Sequence, residues 1–594
     1  MSKLIYVCTR NTKDCSRLVK AITSACAAIS PDNIAPRSAK IVENGGIAFG
    51  LTNPSVTVRI NGQSIVLGHT DDASDRWSIA DSEVPDGNFA IFRAGKDSVE
   101  LISDIVGSRT IWYYKDERIF IASTSQRAIV LILGSYQFDD RVVPWMLSTG
   151  SLGPSFSWDR RVSCVSADSL VRLSRSNWTL STNSKPINFS CTDLSDSRHE
   201  ELLENALEET FGALNIDFSA WVLPLSGGYD SRAILCYLLK NRGSEKKLRC
   251  VTWGLGSSLA EKGTDAYVAK TLASRLNVSH AFYHTDMSVD SAKRIVDRFI
   301  LNGEGRIDHL VGYMDGFQMW KTLFEDGVHG IFRGDECFGW LPFSSPQAFL
   351  SSLPLELCCN FSNLRNCEAF QLPDQRIPSH LQRMSGESLS TWRDRLYHQY
   401  RIPVHLAALS DLKLSYVEQM NPFLSRKILT VVRCLPDHLR TDKSLFKRIV
   451  AKIGPKVEIA NQGANALPNI LRQRGIVEVL RSEIDSERAR LLVPSGLIMK
   501  VVQNLQISDE PATRHRHSFR RKFKELVPSF AKDFLRGKGV VRSLDVNVLA
   551  FRIYLISQMN AVLSADAYRA GGNSLAISGL SVGATSLAGP DSPV

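Results

Sequence analysis

Residues Trp221–Leu235 read WVLPLSGGYDSRAIL. An apolar run from Trp221 to Leu225 stops at Ser226. Gly227, Gly228, Tyr229, Asp230 and Ser231 follow, and an apolar pattern resumes at Ala233, Ile234 and Leu235. The pattern predicts a short buried strand, a glycine turn and a helix. Such a junction leaves the first N–H groups of the helix unpaired, which makes an anion site. Gly227 and Gly228 allow close approach of the backbone to the anion. Ser226 and Ser231 place a hydroxyl at each end of the turn. Asp230 is the discordant member, because a carboxylate beside phosphates is repelled unless a cation lies between them. It therefore implies Mg²⁺ bound together with phosphate. The GxxxxGK(S/T) spacing of the common phosphate loop is not present. An ordinary strand–turn–helix corner would tolerate the glycines, but it does not account for Asp230 and two serines together.

Outward from this stretch the chain changes texture. Residues 1 to about 180 carry short alternating runs (LIYVC, SVTVRI, FAIFRA, TIWYYK, RIFIAS) with turn signals at Asn61-Gly62 and Asp86-Gly87. The polar segment 181–197 reads as a linker. From about 198, helical stretches such as HEELLENALEETFGAL alternate with WVLPL, LRCVTWG and VHGIFRG, a pattern that predicts a parallel sheet with helices on both faces. Beyond about 345 the pattern is mostly helical. The expected organisation is an α+β sandwich over 1–185, an α/β parallel-sheet domain over 198–470, a helical extension over 471–570 and a disordered Gly/Ser/Ala-rich tail over 571–594.

The 594 residues suffice for two or three domains with sizeable cores. No uninterrupted apolar run reaches the roughly 18 to 20 residues of a membrane span, and the first residues lack a signal-peptide pattern. The 12 cysteines form no CxxC pair, and Cys358, Cys359 and Cys367 lack zinc-type spacing. Reduced thiols in a cytoplasmic protein are the expectation. The net charge is +10, part of it in RHRHSFRRKFK at Arg514–Lys524. Phe519 and Phe523, spaced i,i+4, favour a solvated helix face over a nucleic-acid contact. Attraction of an acidic peptide or of nucleotide phosphates is a further reading. Gly571-Gly572-Asn573-Ser574-Leu575 looks like a carrier-domain serine motif, but a glycine stop after a helix ending near Ala570 explains it better.

SGGYDS resembles the SGGxDS pyrophosphate loop of the ATP-pyrophosphatase group, whose members cleave ATP between its α and β phosphates to form an adenylate. Five further segments narrow the resemblance to asparagine synthetases. Val251-Thr252-Trp253-Gly254, Thr264-Asp265-Ala266-Tyr267-Val268-Ala269 and Val278-Ser279-His280 match the pattern around the second strand. Arg333-Gly334-Asp335-Glu336-Cys337-Phe338-Gly339 resembles SGEGxDExFGG. Glu418-Gln419-Met420-Asn421-Pro422-Phe423-Leu424 resembles ExRxPFLD.

The resemblance implies that Asp230 and Asp335 hold Mg²⁺ on the triphosphate of ATP. It places Ser226, Gly227, Gly228, Asp230, Ser231, Thr252 and Gly334 around the nucleotide. Glu418 would stand near the reacting amine, able to accept or orient its proton; its bland alternative is a buried salt bridge. Asp308 sits near the place of a substrate-side acidic residue. Two departures stand out. Phe332-Arg333-Gly334 replace the usual Gly-Glu-Gly, and Ile459-Ala460-Asn461-Gln462-Gly463-Ala464 stand where a lysine is expected. Lys443, Lys447 and Lys456 are the substitutes; Lys447 and Arg333 join Glu418 as the catalytic candidates.

Asp86-Gly87-Asn88-Phe89-Ala90, Asp104 to Arg109 and Ile111-Trp112-Tyr113-Tyr114 resemble the class II glutamine amidotransferase (Ntn-type) half of the same enzymes. An active glutaminase carries a cysteine directly after the initiator methionine. Here Ser2 stands there, and Cys8 lies inside a strand as a core thiol. The expectation is a retained scaffold without glutaminase activity, so another amine must attack the adenylate. Ring closure within one molecule profits from proximity. The branch that fits best is the lasso peptide macrolactam synthetases, which adenylate an Asp or Glu side chain of a precursor peptide and close the ring with its N-terminal amine. A leader peptidase and a leader-binding protein are the implied partners. A β-lactam synthetase-type cyclase or an ammonia-using amide ligase is the alternative, and a non-catalytic binding protein is disfavoured by the intact Asp230 and Asp335.

Overall fold

The computed structural model describes residues 2–11, 15–71, 74–241, 248–286, 288–335, 337–343, 345–355, 372, 375–464, 470–508 and 544–572. The basic stretch 514–524, the Cys358, Cys359 and Cys367 group, Glu336 and the tail beyond 572 lie outside these residues.

The N-terminal part is a sandwich of two six-stranded antiparallel sheets. In one, strand Lys3–Thr9 pairs with Ile47–Thr52 on one side and Ile119–Ser123 on the other. In the other, Gly87–Ala94 pairs with Ser64–Thr70 and Ser98–Ser103. Tyr6 of the first sheet meets Phe92 of the second with ring centroids 5.7 Å apart, at the centre of the inter-sheet core. Helices Cys15–Ala28 and Gln126–Leu133 cover the outer face of the first sheet, through Ile22 and Ile129. The alternating runs thus bury one face against the partner sheet, as period-2 patterning requires. Strand Leu180–Ser184 pairs with Ser169–Ser174 and takes the start of the segment read as linker. Its outward residues are polar, which hid it in the sequence.

The central part holds a five-stranded, all-parallel sheet. In spatial order its strands are Ser279–His284, Arg249–Gly254, Trp221–Pro224, Gly330–Phe332 and Glu418–Met420. Register is set by Cys250 beside His280, Leu223 beside Cys250, Val222 beside Ile331, and Ile331 beside Gln419. The strand order reverses between Trp221–Pro224 and Gly330–Phe332. In open parallel sheets a crevice forms there at the carboxyl ends of the strands. The expected antiparallel sandwich and parallel sheet are both present.

The C-terminal helices Arg474–Ile484, Glu487–Leu492, Ser495–Asn504 and Val546–Gly572 join both parts rather than extending only the second. Their core contains Val130, Val142 and Trp158 of the sandwich part, Val222 and Val251 of the parallel sheet, and Leu480, Phe551 and Tyr554 of the helices. Arg127 pairs with Asp566 at 2.9 Å, and Arg552 pairs with Asp308 at 2.7 Å. Among the described residues, Val546–Gly571 is the one helix long and apolar enough to cross a membrane. Here Leu549, Phe551, Ile553 and Ile556 of that helix are buried in this core. Cys8, Cys26, Cys164, Cys191, Cys236, Cys250, Cys337 and Cys434 are free thiols, and burial pushes the Cys8 thiol up to about 11.

Candidate active site

Strand Trp221–Pro224 leads into the glycine turn, and helix Tyr229–Asn241 begins directly after it, with Asp230 in its first turn. The turn is closed by its two serines. Ser226 Oγ and Ser231 Oγ lie 2.9 Å apart, the Ser226 N–H donates to Ser231 Oγ at 3.0 Å, and the Gly228 N–H donates to Ser226 Oγ at 3.2 Å. The Gly227 N–H donates to Asp265 Oδ1 at 3.0 Å. A carboxylate of the same chain is thus the partner of this glycine-turn N–H. Asp265 had no role in the sequence reading. Its signal was Thr264, whose side chain caps helix Asp265–Arg275 and so places Asp265 in the first turn.

Segment 459–464 covers the turn. The Ala460 N–H donates to Gly227 O at 3.0 Å, and a Cβ on Gly227 would stand 2.3 Å from Ala460 Cβ. Gly227 is therefore required by packing as well as by any ligand. This is why a small residue, and no lysine, occupies position 460.

The second carboxylate comes from the loop after strand Gly330–Phe332. A Cβ on Gly334 would lie 3.0 Å from Asp230 Cβ, so this loop packs onto the start of helix Tyr229–Asn241. Asp335 is paired with Arg333. Asp230 receives Lys443 Nζ at 2.7 and 3.0 Å on its two oxygens. Burial raises the Asp230 carboxyl above its ordinary value, Lys443 opposes this, and the neighbouring charge of Asp335 adds to it. The pair Asp230 and Asp335 therefore sits at the strand-order reversal, with one cation on each.

Other candidates fall elsewhere. Glu418 opens the last strand, level with Gly330 and so at the opposite end of the sheet from Asp335. It is 2 % exposed and ion-paired with Arg109 of the sandwich, and its Oε1 also accepts the Gln419 N–H at 2.7 Å. A carboxylate so held is not free to take a proton, so the expected role at the amine is replaced by the structural one. Lys447 pairs with Asp442 at 2.7 Å and lies over the Tyr229 ring; Lys443, not Lys447, is the lysine on Asp230. Lys443 reaches Asp230 from a left-handed position (φ 55°) at the head of helix Ser444–Ile453, a conformation that sequence spacing does not signal. Thr252 Oγ1 donates to Leu225 O at 2.5 Å and lies 2.9 Å from His280 Nε2, so its hydroxyl is spent within the sheet. Asp308 is bound by Arg552 and backs onto Gly150, and it serves the C-terminal helix rather than a substrate.

The sandwich residues behind the amidotransferase resemblance face the parallel-sheet part. Asp86 Oδ1 accepts the Arg426 N–H at 2.6 Å, capping helix Arg426–Cys434 from outside. Asn88 Oδ1 accepts the Asn421 N–H at 2.9 Å. Ser2 is buried, with its Oγ accepting the Ser55 N–H at 2.8 Å. Among the described residues no group of three or more His, Cys, Asp or Glu side chains could hold a metal ion alone.

No protein-family model and no curated protein matches the sequence. Solved structures similar to the chain include the glutamine phosphoribosylpyrophosphate amidotransferase from B. subtilis complexed with ADP and GMP. It is 8% identical at a TM-score of 0.19, over 47% of this chain and 65% of that one. A structure of the allosteric regulatory enzyme of purine biosynthesis is 8% identical at a TM-score of 0.18, over 48% of this chain and 80% of that one. The chain thus spans less than two thirds of the first of these, and at such TM-scores neither likeness assigns an activity.

Proposed function

We propose that this chain is an ATP-dependent, AMP-forming carbon–nitrogen ligase that closes a macrolactam in a lasso-type precursor peptide. It adenylates an Asp or Glu side-chain carboxyl, and the peptide's N-terminal amine displaces AMP. The observation that carries the reading is the Asp230 and Asp335 pair at the strand-order reversal, beside a turn that already accepts a carboxylate.

The donor set fits Mg²⁺ bound with a nucleotide rather than alone. Mg²⁺ takes one or two carboxylates and completes its shell with phosphate oxygens and water, and two carboxylates are what the crevice offers. Asp230 and Asp335 would hold the ion, which when bound would offset charge on the phosphates. The turn from Ser226 to Ser231 would meet the pyrophosphate by exchanging its internal hydrogen bonds for phosphate oxygens. Lys443 and Arg333 would put positive charge where charge develops on the leaving group, and fixed charges aimed there lower the barrier. The buried Glu418–Arg109 pair holds the sandwich against the sheet, and Ser2 offers no thiol, in keeping with a scaffold without glutaminase activity. A leader peptidase and a leader-binding protein would supply the freed peptide.

The test is mass spectrometry of the purified protein with ATP, Mg²⁺ and a leaderless core peptide encoded beside its gene. Loss of one water from the peptide with AMP and pyrophosphate formed is the expected result. AMP formed with small amino acids and an unchanged peptide would move the assignment to a small-molecule amide ligase.

A further inference from the structure

Residues 307–310 follow helix Ala292–Gly303 and form a tight turn pinned at both ends. Ile307 bridges to Ser151 of the sandwich part, and the Asp308 N–H donates to Gly150 O at 3.0 Å. Arg552 holds the Asp308 carboxylate at 2.7 Å. The Leu310 N–H donates back to Asp308 O at 2.9 Å, which puts His309 at the tip of the turn. Ile307 and Leu310 are buried, whereas His309 is exposed. Among the described residues its ring makes no hydrogen bond and no ion pair. The backbone is fixed and the imidazole is left to a ligand or to water, an arrangement that suits a positioned proton acceptor.

An imidazole on an open surface keeps its ordinary value. Around His309, desolvation by the surrounding protein holds the ring below that value; Asp308 opposes this, and Lys413 and Arg401 add to it. An exposed ring in desolvating surroundings stands on the wall of a concave place. Arg401 comes from the helical stretch Tyr397–Leu406 and is stacked on Trp340 and Tyr397, 5.6 and 5.8 Å from their ring centres. Lys413 comes from helix Ala407–Leu414 and is 4 % exposed.

Lys413 ties this place to the crevice. Its Nζ lies 5.7 Å from the centre of the Trp320 ring, and Trp320 meets Trp253 edge-on at 5.4 Å, near the carboxyl end of strand Arg249–Gly254. The charges of Arg333 and Asp335 also act on Lys413. Tyr313, further along the same loop as His309, feels Arg333 as well. His309 and Asp335 thus flank one lysine at the carboxyl ends of the strands. The other groups there are committed. Asp230 and Asp335 carry Lys443 and Arg333, Glu418 is sealed under Arg109, and Lys413 is too deeply buried to meet a substrate. His309 alone among these is exposed, without a partner and neutral at neutral pH.

We propose that His309 is the catalytic base of amide formation, taking the proton that the attacking amine gives up. The amine nitrogen bonds to the carbonyl carbon of the adenylate, the bond from that carbon to the AMP oxygen breaks, and its electron pair leaves on AMP. One N–H proton passes to the His309 ring, which becomes imidazolium and later returns the proton to water. The proposal rests on the ligase reading and fills the role that Glu418 does not.

Three rates measured on the full chain with ATP, Mg²⁺ and the leaderless core peptide separate activation from amine attack. They are ATP–pyrophosphate exchange, hydroxamate formation in added hydroxylamine, and macrolactam formation. Hydroxylamine traps an adenylate without help from a base. His309→Gln should slow macrolactam formation about a hundredfold and leave exchange and hydroxamate formation within about twofold of wild type. Imidazole added to His309→Ala should restore part of the lost rate, which a merely structural role would not allow. The wild-type macrolactam rate should fall in acid with a midpoint below about 6.5, and His309→Gln should lack that limb. Equal macrolactam rates in wild type and His309→Gln, a matched loss of exchange, no rescue by imidazole, or an acid limb that persists in the variant would overturn the proposal. Absence of exchange with any carboxyl substrate sinks the ligase reading and this step with it, while exchange without the predicted loss sinks His309 alone.

Discussion

Opposite charges gather in two regions of this molecule, and the regions are built differently. In the crevice, Asp230 and Lys443 keep 24 % and 16 % of their side-chain surface exposed. At the contact between sandwich and parallel sheet, Glu418 and Arg109 keep 3 % and 6 %, and Glu304 and Lys3 keep 5 % and 6 %. A partly wetted pair can exchange its partner for a ligand, because water covers the charge during the exchange. A buried pair cannot, since removal of one member leaves a naked charge in a poor dielectric. The crevice pair is the wetter one, and the two pairs at the interface are sealed.

The sharpest way to break this comparison is to neutralise the crevice. Asp230→Asn and Asp335→Asn should each lower ATP–pyrophosphate exchange by about a hundred- to a thousandfold while the melting temperature stays close to wild type; wild-type exchange in either removes the crevice from the chemistry. Glu418→Gln should do the reverse. It leaves Arg109 buried without its partner, destabilises the protein by about 3 kcal/mol and leaves exchange per folded molecule nearly intact. Urea unfolding beside the exchange assay reads both, and a selective loss of exchange would return Glu418 to the reaction. Smaller, and a test of which lysine matters, is Lys443→Met. It should slow exchange about tenfold, equivalent to about 1.4 kcal/mol of barrier, whereas Lys447→Met should not.

A separate effect concerns acid. Burial, with Arg401 beside it, holds the His405 imidazole down to about 3. Its ordinary value is about 6.5. Below that pH the unfolded chain takes up a proton that the folded protein refuses, so stability is full above about 6.5 and falls as the pH drops toward 3. His405→Gln should flatten that slope in melts recorded across this range; an unchanged slope would place the acid sensitivity elsewhere.

Much of this was legible in the sequence because local chemistry marked it. Ser226 to Ser231 announce a strand, a turn and a helix in order, and the runs around Tyr6 and Phe92 alternate as a sandwich must. Asp335 followed from the segment Arg333–Gly339. What escaped was long-range. Nothing local in Glu418 says that Arg109 lies across the interface, and Lys443 and Lys447 are equivalent until a left-handed residue turns one of them toward Asp230. The polar strand Leu180–Ser184 hid because its partner strand, not its own pattern, makes it a strand.

The helix Val546–Gly572 has a consequence for the order in which the chain can fold. Arg127 meets its partner Asp566 across 439 residues of sequence, and Leu147 O waits across 405 for Arg552. During synthesis the sandwich emerges first, yet one flank stays bare until that helix leaves the ribosome. The helix acts as a latch, and a nascent chain stopped short of it would present an apolar flank to chaperones.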